Sequence, residues 1–173
     1  EVEAERMLDY AIESGVTYID TAYPYHDGES EPFVGRVLKK YKREDFYLAT
    51  KLPMFKIDSL EQAKEIFEEQ MKRLDVDYVD FYLLHALNKD TWKKVIDLNI
   101  IPYCEELKKQ GRIKNFGFSF HDDYEVFEEI INYRDWDFCQ IQLNYIDTDI
   151  QAGMKGYKLT EEKNVPLVIM EPI

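Results

Sequence analysis

Cysteine is scarce in this chain of 173 residues: Cys104 and Cys139 are the only two, and they share no metal-ligand spacing. Both lie in apolar patterns and read as buried, reduced thiols, as expected of a cytoplasmic protein. No apolar run approaches the ~18 residues of a membrane helix, and the acidic start does not resemble a signal peptide. Basic residues are outnumbered, with 22 Lys and Arg against 35 Asp and Glu, for a net charge of −13. That balance argues against a nucleic-acid or anionic-membrane surface, since both need clustered cations. The densest basic group, Lys108, Lys109, Arg112 and Lys114, closes an expected helix, where cations favour the dipole. His26 and His121 lack partners at metal-binding spacing, so no metal site is expected. No G-x-G-x-x-G follows any apolar run, which weakens an open Rossmann reading.

What is present is an alternation of helical and extended patterns. Residues 2–14 place Ala4, Met7, Leu8, Ala11 and Ile12 on one helical face, and Gly15 ends the pattern. Extended segments are expected at 16–21, 45–51, 78–85, 113–120, 138–145 and 166–171. Between them, Phe33, Val34, Val37, Leu38 and Tyr41 mark one helix. A capping box, Ser59-Leu60-Glu61-Gln62, opens another, with Leu60, Ala63, Phe67, Met71 and Leu74 inward. Further helices are expected over about 96–109, over 123–134, and in a short piece ending near Asn164.

Such alternation builds parallel sheets, because parallel strands need a crossover between them. The fold class is α/β, and both an open doubly wound sheet and a (β/α)8 TIM barrel fit the pattern. Polar residues end strand after strand: Asp20, Lys51, His85, Ser119, Gln140 and Glu171. A barrel gathers these into one mouth, whereas an open sheet spreads them along an edge, so the barrel is favoured. About six βα units are visible, and six strands would leave two open edges. The expectation is therefore one barrel domain over 1–173, a segment lacking a first strand and the C-terminal units.

The rim residues suggest a chemistry. Tyrosine, with an ordinary pKa of about 10, donates protons poorly at neutral pH. An ammonium nearby lowers that value, and Lys51, held by Asp20, is placed to supply one to Tyr25. Tyr25 is then a general acid for an oxygen gaining charge, with His85 as a second donor that orients the substrate. That apparatus suits carbonyl reduction, provided a nicotinamide supplies hydride, which side chains cannot. Ser119, Gln140 and Asn144 suit a carboxamide, and Tyr23, His26 and Trp92 are candidates for the substrate pocket. Trp92 fits packing under the loop after His85 equally well.

The motif D-T-A-Y-P-Y-H-D-G-E-S-E-P-F-V-G, Asp20 to Gly35, resembles the aldo-keto reductases. So do Thr50-Lys51, Y-V-D-F-Y-L-L-H ending at His85, G-R-I-K-N-F-G-F-S ending at Ser119, and Q-I-Q-L-N-Y from Gln140. The resemblance implies a (β/α)8 barrel that binds NAD(H) or NADP(H) at its C-terminal rim and reduces small aldehydes or ketones to alcohols. It assigns catalysis to Tyr25, Lys51, Asp20 and His85, and cofactor contacts to Asp20, Ser119, Gln140, Met170 and Glu171. His26 stands where the family has glycine, Phe120 where it has asparagine, and Ile169-Met170-Glu171-Pro172 where it commonly has A-Y-S-P. Met170 can still cover a nicotinamide ring with its thioether. The M-E-P ending resembles a divergent bacterial or archaeal branch, some members of which carry an iron-sulfur module; any such module lies outside this segment. Two other readings are weighed: a nicotinamide-binding redox sensor with little turnover, and a barrel enzyme using Lys51 as a Schiff base.

Overall fold

The computed structural model describes residues 1–172. Helix α1 (Val2–Glu13) leads into β1 (Tyr18–Asp20), and after a 3-10 turn at Tyr25–Gly28 comes α2 (Ser30–Leu38). Then follow β2 (Tyr47–Leu52), α3 (Leu60–Leu74), β3 (Val79–Leu87), α4 (Lys89–Asp97) and α5 (Ile100–Lys109). The chain continues through β4 (Ile113–Phe120), α6 (Tyr124–Tyr133), β5 (Phe138–Gln142), α7 (Gly153–Lys163) and β6 (Leu167–Met170).

The six strands form one sheet in the order β1-β2-β3-β4-β5-β6, and every neighbouring pair is parallel. A doubly wound sheet reverses its order at a switch point. Here the order never reverses, so successive crossovers put all helices on one face and the sheet curls about the other. The curl is measurable. Four strand spacings of about 4.8 Å would put β5 some ~19 Å from β1 in a flat sheet. Instead Gln140 on β5 donates from Nε2 to the Asp20 carboxylate at the end of β1, at 3.3 Å. The fold is a partial (β/α)8 barrel, as the polar strand ends predicted.

Two apolar regions follow from strand alternation. The larger lies between sheet and helices, where Phe67, Tyr82, Phe116, Phe118, Phe120 and Phe127 are buried completely. The smaller is the bore, built on Ala49, Leu83 and Phe138 with Tyr18, Phe81 and Val168 packed against them. Phe81 meets Phe138 edge-on at 5.0 Å and Tyr18 at 5.2 Å. Gly117 makes room for Phe138: a Cβ there would sit 2.4 Å from the Phe138 carbonyl oxygen and 2.7 Å from its ring.

Several local expectations need correction. The helix expected over 96–109 begins later, as α5 at Ile100 after Asn99 with a φ of 54°, and a separate helix, α4 over Lys89–Asp97, precedes it where none was expected. In the capping box, Ser59 Oγ accepts from Gln62 N at 3.2 Å, but Gln62 Oε1 accepts from Asp58 N rather than from Ser59 N. Strand β5 stops at Gln142, three residues early, because Asn144 Oδ1 turns the chain by accepting from Ile146 N and Asp147 N. Helix α1 buries no residue, and Met7, expected to face inward, is 63% exposed. Asp80, by contrast, has the structural role expected of it, accepting from Leu48 N at 2.9 Å and pairing with Arg43.

Candidate active site

The mouth of the barrel is assembled from three strand ends and one turn. Strand β1 ends on Asp20, and β2 carries Lys51 into the bore, with its side chain 2% exposed. An ammonium so enclosed needs compensation. Its Nζ donates to the Asp20 carboxylate and, at 2.9 Å, to the Thr21 carbonyl. Burial lowers the Lys51 pKa, opposed by Asp20 and then Glu31.

His85 sits on β3 beside an irregularity. The pairing of β3 with β4 shifts register between Leu84 and Leu87, and Ala86 adopts a φ of 52°. Ser119 on β4 secures this bulge, its Oγ accepting from Ala86 N at 2.8 Å. Burial, then Lys51 and His121, drives the His85 pKa down to about 3, so the imidazole is neutral at physiological pH. Its Nδ1 is buried without a partner among the described residues.

Tyr25 begins the 3-10 turn. Within it His26 and Asp27 both take left-handed backbone, φ 52° and 56°, before Gly28 at 92°. Two consecutive non-glycine residues in that region store strain, each on the order of 1–3 kcal/mol. The turn holds the Tyr25 ring 5.0 Å from Lys51 Nζ and 5.6 Å, edge-on, from His85. Asp20, Tyr25, Lys51 and His85 are thus brought together.

One electrostatic expectation is not met. Burial, then Asp20 and Glu171, raises the Tyr25 pKa instead of lowering it. Burial is the largest cause; Lys51 meets the face of the ring and donates to Asp20 and Thr21, and the Asp20 and Glu171 carboxylates add to the rise.

The residues expected at a nicotinamide also lie at this mouth. Gln140 is buried, and its Oε1 has no partner among the described residues. Ser119 Oγ accepts from Ala86 N, which leaves its proton free to donate. An unpaired acceptor and a free donor on adjacent strands, in register across β4 and β5, fit the two ends of a carboxamide. Met170 ends β6 half-buried, and Glu171 is exposed with a φ of 55°. Asn144 is committed to its own turn.

The pocket expectations fare unevenly. Tyr23 turns toward α3, donating to Glu69 at 2.8 Å with the Arg73 guanidinium 4.1 Å over its ring. Trp92 packs rather than lining the mouth: it donates to Glu129 at 2.9 Å and meets Tyr133 edge-on at 5.0 Å. His26 lines a crevice of about 400 Å³ with Asp20, Glu29 and Phe33. Sequence reasoning missed Phe55, whose half-exposed ring lies 5.7 Å from His85. It also missed Glu31, wholly buried behind Lys51. The signal for Glu31 was available: it shares a helical face with Val34, Gly35 and Leu38, where an acid is out of place.

A model of the Aldo/keto reductase family matches residues 1–173. The chain belongs to that family. Among curated relatives, the NADH-specific methylglyoxal reductase of Escherichia coli strain K12 is 26% identical over 198 aligned residues, covering 100% of this chain and 58% of the relative. The aldo-keto reductase AKR11C1 from Bacillus halodurans, in its holo form, superposes with a TM-score of 0.78 at 30% identity, over 97% of this chain and 56% of that one. An aldo/keto reductase from Klebsiella pneumoniae in complex with NADP and acetate gives 0.71 at 25% identity, over 94% of this chain and 55% of that one. This aldo/keto reductase chain thus spans little more than half the length of these relatives. Among its described residues no helix is long and apolar enough to cross a membrane, and no cluster of His, Cys, Asp and Glu is arranged to hold a metal.

Proposed function

We propose that this chain serves an NAD(P)H-dependent reduction of aldehyde or ketone carbonyls to alcohols, with Tyr25 delivering the proton. The observation that carries this reading is the convergence of Tyr25 on Lys51 and His85, with Lys51 anchored to Asp20. Nicotinamide, when bound, supplies hydride to the carbonyl carbon. Ser119 and Gln140 would hold its carboxamide, and Met170 would lie against its ring.

The neutral His85 donates one hydrogen bond to the carbonyl oxygen and holds it within reach of the Tyr25 hydroxyl. As negative charge gathers on that oxygen, the phenol transfers its proton, and phenolate character appears at Tyr25. The Lys51 ammonium beneath the ring stabilises that charge, and Asp20 keeps the ammonium protonated. A phenol held above its ordinary pKa remains protonated until the oxygen becomes a strong base, so the lysine matters most in the transition state. The activity for which the Escherichia coli relative is named makes α-oxoaldehydes the first substrate class to assay.

The test is Tyr25→Phe. We expect turnover of methylglyoxal to fall at least ~100-fold, the scale of general acid catalysis, with nicotinamide binding unchanged. Retained turnover removes Tyr25 as the acid. One observation favours a second reading, a redox sensor with little turnover: the Tyr25 pKa is raised, and two carboxylates act on it. Nicotinamide binding without oxidation across a panel of aldehydes would select that reading.

A further inference from the structure

The Ser30-Glu31 pair belongs to the motif that marks the site, yet neither residue touches the reacting groups. Both instead face the back of the strands that carry Lys51 and Asp20. Ser30 Oγ shares a 2.8 Å hydrogen bond with Thr21 Oγ1, and Thr21 supplies the carbonyl that receives Lys51 Nζ. Glu31 is completely buried. Its Oε1 accepts from Thr50 Oγ1 at 2.6 Å and from Gln70 Nε2 at 2.8 Å. Gln70 Nε2 also lies 3.0 Å from both Thr50 Oγ1 and the Lys51 carbonyl oxygen, and Tyr82 donates to Gln70 Oε1 at 2.8 Å. Side chains alternate along a strand, so Thr50 faces the helices and Lys51 the bore. The network therefore grips β2 from behind, at the residue pair that presents the ammonium.

Stability alone accounts poorly for this arrangement. A buried carboxylate costs several kcal/mol in desolvation, and apolar side chains of similar volume often serve a core as well or better. Burial raises the Glu31 pKa, and Arg73 compensates only at 3.5 Å. What a carboxylate offers here is acceptor-only chemistry for two converging donors, the strong, geometrically specific kind of hydrogen bond.

We propose that Glu31 is a positioning residue that acts through Thr50 and Gln70 to hold the Lys51 segment of β2 in place, so that the ammonium stays on Asp20. The inference rests on the reading that Lys51 serves the carbonyl chemistry, but its test does not require turnover. Lys51 acetylation by an activated ester is followed by peptide mass spectrometry, with the exposed Lys109 as internal reference.

Thr50→Val removes one hydroxyl at constant shape, and Glu31→Gln removes the charge. Each should raise Lys51 labelling relative to Lys109 by about tenfold, the population change expected from losing one buried hydrogen bond. Thr50→Ser, which keeps the hydroxyl, should remain within about twofold of the parent. If the chain turns over, Glu31→Gln should lower kcat and leave KM unchanged, and should have no further effect on a Lys51→Met background. Unchanged Lys51 labelling in Thr50→Val and Glu31→Gln overturns the proposal. So does a Thr50→Val chain that fails to fold, since that hydroxyl would then support the fold rather than the lysine. The labelling ratio decides the role of Glu31 whether or not the chain turns over, whereas the Tyr25→Phe comparison decides the reductase reading, so failure of one is distinguishable from failure of the other.

Discussion

Replacing Asp20 with Asn isolates the charge that compensates Lys51. The introduced amide keeps an acceptor for Nζ, and the Thr21 carbonyl remains at 2.9 Å. Gln140 adapts by rotating its own amide, which turns its unpaired Oε1 toward the new NH₂ group. What is lost is the negative charge beside an ammonium only 2% exposed. Removing one partner of a fully buried pair costs about 3–5 kcal/mol. The Asp20 side chain is 27% exposed, so solvent already screens part of the interaction, and about 2–3 kcal/mol is the appropriate figure. At about 2–4 °C per kcal/mol in a domain of this size, the melting temperature should fall by about 4–12 °C.

The pH dependence identifies the cause. The folded-state Lys51 pKa already lies below the ordinary 10.5, and losing Asp20 lowers it further. Between the folded and unfolded values the unfolded chain binds more protons, so folding strengthens as pH rises through that window. The deficit of Asp20→Asn relative to the parent should therefore be largest near neutrality and shrink toward about pH 10, as Lys51 sheds its proton. Urea unfolding of both chains at about pH 7 and about pH 10 measures it. A deficit equal at both pH values would refute the ion-pair account and leave a packing defect in its place.

Two further perturbations test other parts of the structure. His85, with a folded pKa of about 3, should show no imidazole titration by NMR above about pH 5. Because the unfolded imidazole takes up its proton near the ordinary 6.5, the parent should lose stability as pH falls through 6.5 toward 3. His85→Gln should be less acid-sensitive; an equally steep acid limb in both chains would place the cause elsewhere. Gly117→Ala drives a Cβ to 2.4 Å from the Phe138 carbonyl oxygen, and the bore has no slack to absorb it. Overpacking of this kind costs typically 1–3 kcal/mol, so chemical denaturation should show a loss of at least ~2 kcal/mol, and a change under ~0.5 kcal/mol would contradict the close approach of β4 to β5.

Where a sequence signal was local and repeated, it carried through to the structure. Six extended patterns became six strands; β3, V-D-F-Y-L-L-H-A-L, is the most continuously apolar, as a strand covered on both faces requires, while β4, I-K-N-F-G-F-S-F, is interrupted by polar residues. The break between α4 and α5 was hidden because apolar residues continue on either side of it, through Ile96 and Leu98 to Ile100 and Ile101, with one Asn to mark the turn. Tyr23 and Trp92 looked like pocket residues because aromatic rings near a site fit either role. Only their partners, Glu69 and Arg73 for one and Glu129 and Tyr133 for the other, decide between them.

By itself the sequence determined which polar side chains lie near the C-terminal ends of the strands, since alternation follows from residue pattern, although the exact ends of β2, β3, β5 and β6 moved by one to three residues. It also determined the family, through Asp20, Tyr25, Lys51 and His85 in order. Only the tertiary structure decided how those groups act on one another. Lys51 is turned to Asp20 and Thr21 and meets the Tyr25 ring by its face, and burial raises the phenol pKa where sequence order alone predicted that it would fall. Electrostatic effects depend on distance, direction and burial, and none of these is set until the sheet has curled. For the same reason Glu31, one acid among 35 Asp and Glu residues, emerged as the anchor behind Lys51 only when β2, α2 and α3 came together around it.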